Sequence, residues 1–318
     1  MDVNRPAGVN RAGQMIRTDT SSLSGSKGVG MSGFRPHPPQ SGRDWEVADP
    51  KVLAPMLLAG KHAVVTGAGS GIGQGICVRL VELGATVTGI GRTDSALQKT
   101  AELAAHAQGK FRWFTADVRD CARVRSVIAE SSAELGMDLL VNNAGGQFYA
   151  AAEEISDNGF RSVVDLNLNA VFTVISEAKQ FLAQRGGSIV NISLSGIERG
   201  SVGLAHSLAA RAGVLAMTKT LALEWAHLGI RANCVAPGVV ISDSLPEAVA
   251  ASLRDRVVPE SVPAGRATPV ADVAELVAFI ATPAGRMITG QLLQIDGAAH
   301  LGRGLHMIDE WPPREGRE

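Results

Sequence analysis

The chain has 318 residues, 45% of them hydrophobic and 19% charged, which is enough apolar material for a full core in one large α/β domain or two small ones. A net charge of −1, with the basic residues scattered, leaves no electrostatic footprint for nucleic acid or anionic lipid. No apolar run approaches the roughly 20 residues that a bilayer span needs, and the start of the chain lacks the apolar centre of an export signal.

Residues 1–50 are rich in Gly, Ser, Pro and Arg without apolar periodicity, and they read as a flexible extension in which Met31 opens a second start. From Lys61 onward, short β-rich apolar runs alternate with amphipathic stretches, and strands are expected over 62–66, 85–90, 111–115, 138–142, 188–193, 230–236 and 291–295. Parallel neighbours need crossover connections, and helices then cover both faces. The expected fold is therefore α/β: a single doubly wound, Rossmann-type domain over 51–302 with a seven-stranded parallel sheet. A polar tail over 303–318, carrying Trp311-Pro312-Pro313, is expected on the surface.

The first strand runs straight into Gly67-Ala68-Gly69-Ser70-Gly71-Ile72-Gly73. Glycines at 67, 71 and 73 permit a tight turn, close approach of backbone to a pyrophosphate and close packing of the next helix, expected over 72–83 and ended by Gly84. The helix then directs its first amides at the phosphates. Strand before and helix after give the glycine triplet its meaning as a dinucleotide site, with Ser70 and Ile72 inside the turn. The second strand ends in Gly91-Arg92-Thr93, where an acidic residue would bind the ribose hydroxyls of NAD. Arg92 suits a 2′-phosphate instead, which favours NADPH, although an arginine here could also stack on adenine.

Further along lie Asp117-Val118, Asn142-Asn143-Ala144-Gly145, Asn167 and Pro237-Gly238. With Thr66-Gly67-x-x-x-Gly71-Ile72-Gly73, these make the chain resemble the short-chain dehydrogenase/reductase family over roughly residues 58–301. The resemblance implies that Asp117 and Val118 flank adenine, that Asn143 and Gly145 line the ribose side, and that Val240 and Ser242 meet the nicotinamide carboxamide. Taken as residues alone, Asp117 could be a turn residue and the Asn-Asn-Ala-Gly run a strand ending. The segment between Pro237 and Pro269 is the part that covers substrate in this family, and the family is homotetrameric or homodimeric, with Asp296-Gly297 near a C-terminal interface.

Members of the family that reduce ketones use a tyrosine, a lysine four residues later and a serine thirteen residues earlier. The sole tyrosine here is Tyr149, with Glu153 four residues on. Alignment on Ala212-Gly213-Val214 puts Ser207 at the tyrosine position, Arg211 at the lysine position and Leu194 at the serine position, so that only Asn167 matches the family's four. Ser207 and Arg211 remain i, i+4 neighbours on one helix face. A serine is a far weaker acid than a phenol and arginine stays protonated, so carbonyl reduction is poorly served. Conjugate reduction asks chiefly for donors to a developing thioester oxyanion.

The runs around 202–214, Leu221 to Trp225 and Gly145-Gly146-Gln147-Phe148 resemble the trans-2-enoyl-CoA reductase branch, related to 2,4-dienoyl-CoA reductases. That resemblance implies NADPH-dependent reduction of the C=C bond of a small-molecule substrate, an acyl thioester. Ser207 would donate to the oxyanion, Asn167 would order water, and Arg211 would hold the nicotinamide ribose or a substrate group. His206 is either a proton source or a structural histidine, and Tyr149 either reaches the cleft or packs at an interface. Leu194 makes one wall apolar, which suits an acyl chain or marks lapsed catalysis. The alternatives are a dinucleotide-binding pseudoenzyme and a carbonyl reductase with a substitute acid. Cys77, Cys121 and Cys234 match neither a disulfide framework nor metal-ligand spacing, and they are expected reduced and buried in a cytoplasmic protein.

Overall fold

Seven strands, β1 (His62–Thr66), β2 (Thr86–Gly91), β3 (Lys110–Thr115), β4 (Leu139–Asn142), β5 (Ser188–Ile192), β6 (Arg231–Pro237) and β7 (Leu292–Ile295), form one sheet in the computed structural model. The structure describes residues 53–302 except Ser244, so the expected extension over 1–50 and tail over 303–318 lie outside the described residues. All pairings are parallel, in the order β3-β2-β1-β4-β5-β6-β7. The expected sheet is present, with strand ends displaced by a residue at most of them, because pairing with the neighbour rather than composition decides where a ladder stops.

Alternate residues of each inner strand enter different cores. Ala63 and Val65 of β1, Leu139 and Val141 of β4, Val190 of β5 and Val235 of β6 join one apolar cluster. Val64, Leu140, Ile189, Ala232 and Cys234 join the other. Helices therefore cover both faces, and this double burial is why the strands read as continuous apolar runs rather than alternating ones. On the first face lie α1 (Gly71–Glu82) and, late in the chain, a helix over Val270–Ala281. The Arg79 Nε donates to Glu275 at 2.6 Å between those two helices, and Leu53 N donates to the same carboxylate at 2.8 Å, tying the start of the described chain to them.

Helix α1 ends as expected. Gly84 sits at φ +92°, its N–H donates to Val81 and the Ala85 N–H to Leu80, a paired C-terminal motif that needs the left-handed residue only glycine adopts freely. The remaining helices that shape the site are α2 (Asp94–Ala104), α3 (Cys121–Ser132), α4 (Asp157–Val164), α5 (Ala170–Ala183) and α6 (Ala205–Glu224). A π turn over Asp165–Asn169 joins α4 to α5. Short helices α7 (Glu247–Ser252) and α8 (Val258–Ser261) lie in the segment between Pro237 and Pro269, and α9 is the helix Val270–Ala281 already met.

One expectation about the cysteines is corrected. Cys77 and Cys234 are buried, but Cys121 is exposed at the first position of α3, where the chain leaves the sheet and turns towards solvent.

Candidate active site

The strand order reverses between β1 and β4, and the two strands diverge there into connections that leave opposite faces. A crevice at their carboxyl ends is the consequence. One cavity of about 390 Å³ opens at that point, lined by Gly67, Ser70, Gly71, Ile72, Arg92, Asp117, Val118, Asn143, Gly145, Val240 and Ser242 among others. A second of about 170 Å³ continues from it past Asn143 and Gly145 to Asn167, Ser193 and Arg211. The residues expected around a dinucleotide therefore come together from five separate parts of the chain.

The glycine turn has the geometry that its sequence requires. Gly67 lies at φ +68°, and a Cβ at Gly73 would meet the Gly67 carbonyl oxygen at 2.2 Å, so Gly73 lets α1 sit directly on the turn. Asn143 closes the turn from β4: its Nδ2 donates to the carbonyls of Thr66 at 3.1 Å and Gly67 at 3.2 Å, while its own N–H and that of Ala144 donate to Thr66 Oγ1. Asn143 thus acts by holding the turn as well as by lining the cavity.

A dinucleotide fits this cradle. Ser70, the residue preceding α1, makes no side-chain capping bond, and the first turn carries no acidic residue, so the leading amides and the positive end of the helix dipole face an anion without a competitor. Arg92 lines the same cavity just after β2, and no carboxylate stands at the end of that strand. Asp117 lines this cavity too, but its oxygens are engaged by Arg119, at 3.0 Å from Nε and 2.6 Å from Nη2. Those bonds hold the Asp117 carboxyl down to about 2.

The two residues expected at the reacting end stand on α6. Ser207 is fully buried and Arg211 stands one turn later, as the i, i+4 spacing requires. The Ser207 hydroxyl donates to Gln147 Oε1 at 2.6 Å, Arg211 donates to the same oxygen at 3.3 Å, and Arg211 also donates to Ser207 Oγ. Burial lowers the Arg211 pKa to about 10, still charged at neutral pH. Asn167 sits in the π turn with both ends of its amide on Gly146, accepting from its N–H at 3.0 Å and donating to its carbonyl at 2.8 Å. Its side chain therefore shapes the loop after β4.

His206 is also fully buried, packed edge-on to Phe148 with ring centroids 4.2 Å apart. Neither ring nitrogen has a hydrogen-bond partner among the described residues, and the residue lines neither cavity described above. Tyr149 is 71% exposed on the loop beyond Gln147. Leu194 is half-buried. Two residues escaped the sequence reading. Gln147 stood inside a quoted run but carried no role, and Ser193 precedes the aligned Leu194, yet it lines the inner cavity with a buried hydroxyl that has no partner among the described residues.

Residues 67–300 match the family described as enoyl-(acyl carrier protein) reductase. A Bacillus subtilis protein described as a 2,4-dienoyl-CoA reductase is 33% identical over 76% of this chain and 97% of its own length. The 3-oxoacyl-[acyl-carrier-protein] reductase FabG of Staphylococcus aureus is 35% identical over 76% of this chain and 98% of its own. Among solved structures, one described as an NAD(P)-dependent gluconate 5-dehydrogenase from Beutenbergia cavernae, with bound NADP, superposes with a TM-score of 0.70 at 34% identity, covering 77% of this chain and 99% of that one.

Proposed function

The chain belongs to the short-chain dehydrogenase/reductase family of oxidoreductases, and from that premise we propose that it reduces the activated C=C bond of an enoyl thioester with NADPH. The observation that carries this reading is the pair of donors, Ser207 and Arg211, converging on one oxygen at the place where the family's phenol would stand. The pair can stabilise negative charge without giving up a proton. The Bacillus relative's description, a reductase of an acyl-CoA C=C bond, supports the same choice, and the structure solved with NADP supports the cofactor.

The residues divide the work as follows. Gly67, Ser70, Gly71 and Ile72 hold the pyrophosphate on the turn that Gly73 lets α1 close, Arg92 meets the 2′-phosphate, Asp117 and Val118 flank adenine, Asn143 and Gly145 border the ribose, and Val240 and Ser242 meet the carboxamide. When bound, NADPH supplies a hydride to the β-carbon of the enoyl group. Ser207 and Arg211 then hold the negative charge on the thioester oxygen until the α-carbon takes a proton from water, restoring the neutral carbonyl. Asn167 keeps the loop at Gly146 in place beneath that oxygen. His206, which lines neither cavity, packs against Phe148 and takes the structural role. The acyl-thioester substrate, a homotetramer or homodimer and a cytoplasmic location belong to the same proposal.

The test is NADPH consumption, followed by absorbance, with crotonyl-CoA and longer trans-2-enoyl-CoA substrates. Turnover is expected in the wild type, with a fall of about 100-fold in kcat for Ser207→Ala, the usual effect of removing one oxyanion donor. NADPH binding without turnover on any enoyl thioester would sink this reading.

A further inference from the structure

We propose that the side-chain amide of Gln147 is a built-in occupant of the oxyanion site, held by Ser207 and Arg211 in the free protein and displaced when a substrate carbonyl enters. The proposal rests on the reading of this cleft as the reacting site, and not on the identity of the substrate.

The hydrogen bonds leave one orientation for this amide. Arg211 can only donate, so the Gln147 atom facing it at 3.3 Å is the oxygen, and the same oxygen takes the Ser207 proton at 2.6 Å. An sp² oxygen on which two donors converge, one of them a half-buried guanidinium, is what a thioester carbonyl would present at the same place. The serine has a single proton, and while it is directed to Gln147 it is not available to a substrate. Gln147 and a substrate oxygen therefore compete for one position.

Three features make Gln147 a displaceable occupant and not a fixed part of the wall. Its side chain is exposed, and it lies in the stretch 143–151, which forms neither helix nor strand. The loop is held around it: Asn167 clamps Gly146 through both backbone groups, Phe148 packs on His206, and the Ala150 N–H donates to the Gly203 carbonyl at 3.2 Å, so the Gln147 side chain can swing out while its flanks stay. Ser207, by contrast, is fully buried, and without substrate its hydroxyl donates to Gln147. A neutral amide serves as that acceptor, yet yields to an oxygen that gains negative charge, because charge-assisted bonds are the stronger ones.

The occupant should act as a tax on ligand binding. If the open form is about one tenth of the free protein, removing the occupant tightens binding about tenfold. The probe is crotonate, whose carboxylate asks for the same two donors but which undergoes no turnover in a protein loaded with NADP+. Calorimetry is expected to show Gln147→Ala binding crotonate about tenfold more tightly than wild type, and Gln147→Glu, whose carboxylate pairs with Arg211 more strongly, binding it at least tenfold more weakly. With crotonyl-CoA and NADPH, the KM of Gln147→Ala is expected to fall.

Opposite shifts in the two variants support displacement. Weakening in both, equal affinity in all three proteins, absence of crotonate binding by Gln147→Ala, or a fall in kcat with KM unchanged would overturn it. Failure of the enoyl-thioester reading is separable, since it leaves NADPH consumption at zero while crotonate binding still decides on Gln147.

Discussion

Arg92 and Arg211 carry the two charges on which the proposed chemistry turns. Arg92 lines the cavity at the strand ends, and in the proposed role its hydrogen bond to a charged phosphate contributes about 1.5–3 kcal/mol. Arg92→Ala is therefore expected to raise the KM for NADPH about 10- to 100-fold while leaving that for NADH nearly unchanged, which steady-state kinetics with both nucleotides will show. Arg211 stabilises charge only when protonated, and burial lowers its pKa to about 10. The rate profile in kcat is thus expected to stay level through neutral pH and to decline as pH rises towards 10, with the loss appearing on the alkaline side because deprotonation removes the donor's charge. A descending limb centred near neutrality would instead assign the rate to another titrating group.

At the scale of elements, the sheet and α6 are joined by a buried chain of hydrogen bonds. Asn142 of β4 donates to Asn191 of β5 at 2.8 Å, Asn191 donates to Thr218 of α6 at 2.9 Å, and Thr218 donates to the Val214 carbonyl at 2.7 Å. The chain ties α6 to the strand ends, and with it the Arg211 that lines the inner cavity. Asn191→Ala removes the middle link and leaves the Asn142 amide unsatisfied in the interior, at a cost of about 1–3 kcal/mol. Urea unfolding should show a lower midpoint with an unchanged slope. The π turn that carries Asn167 is a second element-scale device: an extra residue within one helical run re-aims a side chain that a regular helix would have pointed elsewhere.

For the whole molecule, the organisation into an extension over 1–50, a domain over 51–302 and a tail over 303–318 remains a proposal. The contacts at its near edge bear on it: Leu53 is bonded through its N–H to Glu275 and through its carbonyl to Arg79, so the folded interior already engages the chain there. A chain beginning at residue 51 is expected to unfold cooperatively and to bind NADPH with the affinity of the full-length protein, as calorimetry and fluorescence titration would show. Aggregation or a tenfold loss of affinity would assign the extension to the domain. Among the described residues no helix is long and apolar enough to cross a membrane.

The parts legible in the sequence are those whose cause acts over a few residues. The glycine turn declares itself because Gly67 and Gly71 need positive φ and Gly73 leaves no room for a side chain, and the inner strands β1, β4 and β5 declare themselves because double burial demands apolar runs. Counting along the chain was enough to place Ser207 and Arg211 on one face of α6, since four residues are one helical turn. The partner of that pair was not legible. Gln147 meets Ser207 across 60 residues of chain, through the register of β4 beside β5 and the clamp of Asn167 on Gly146, and no local pattern encodes such a meeting. The same holds for Ser193, whose neighbour in sequence takes the aligned position while its own side chain takes the cavity. Local sterics and periodicity wrote the fold and the cofactor turn into the sequence; which side chains share the reacting oxygen was decided only when the parallel sheet brought a loop and a helix to the same strand ends.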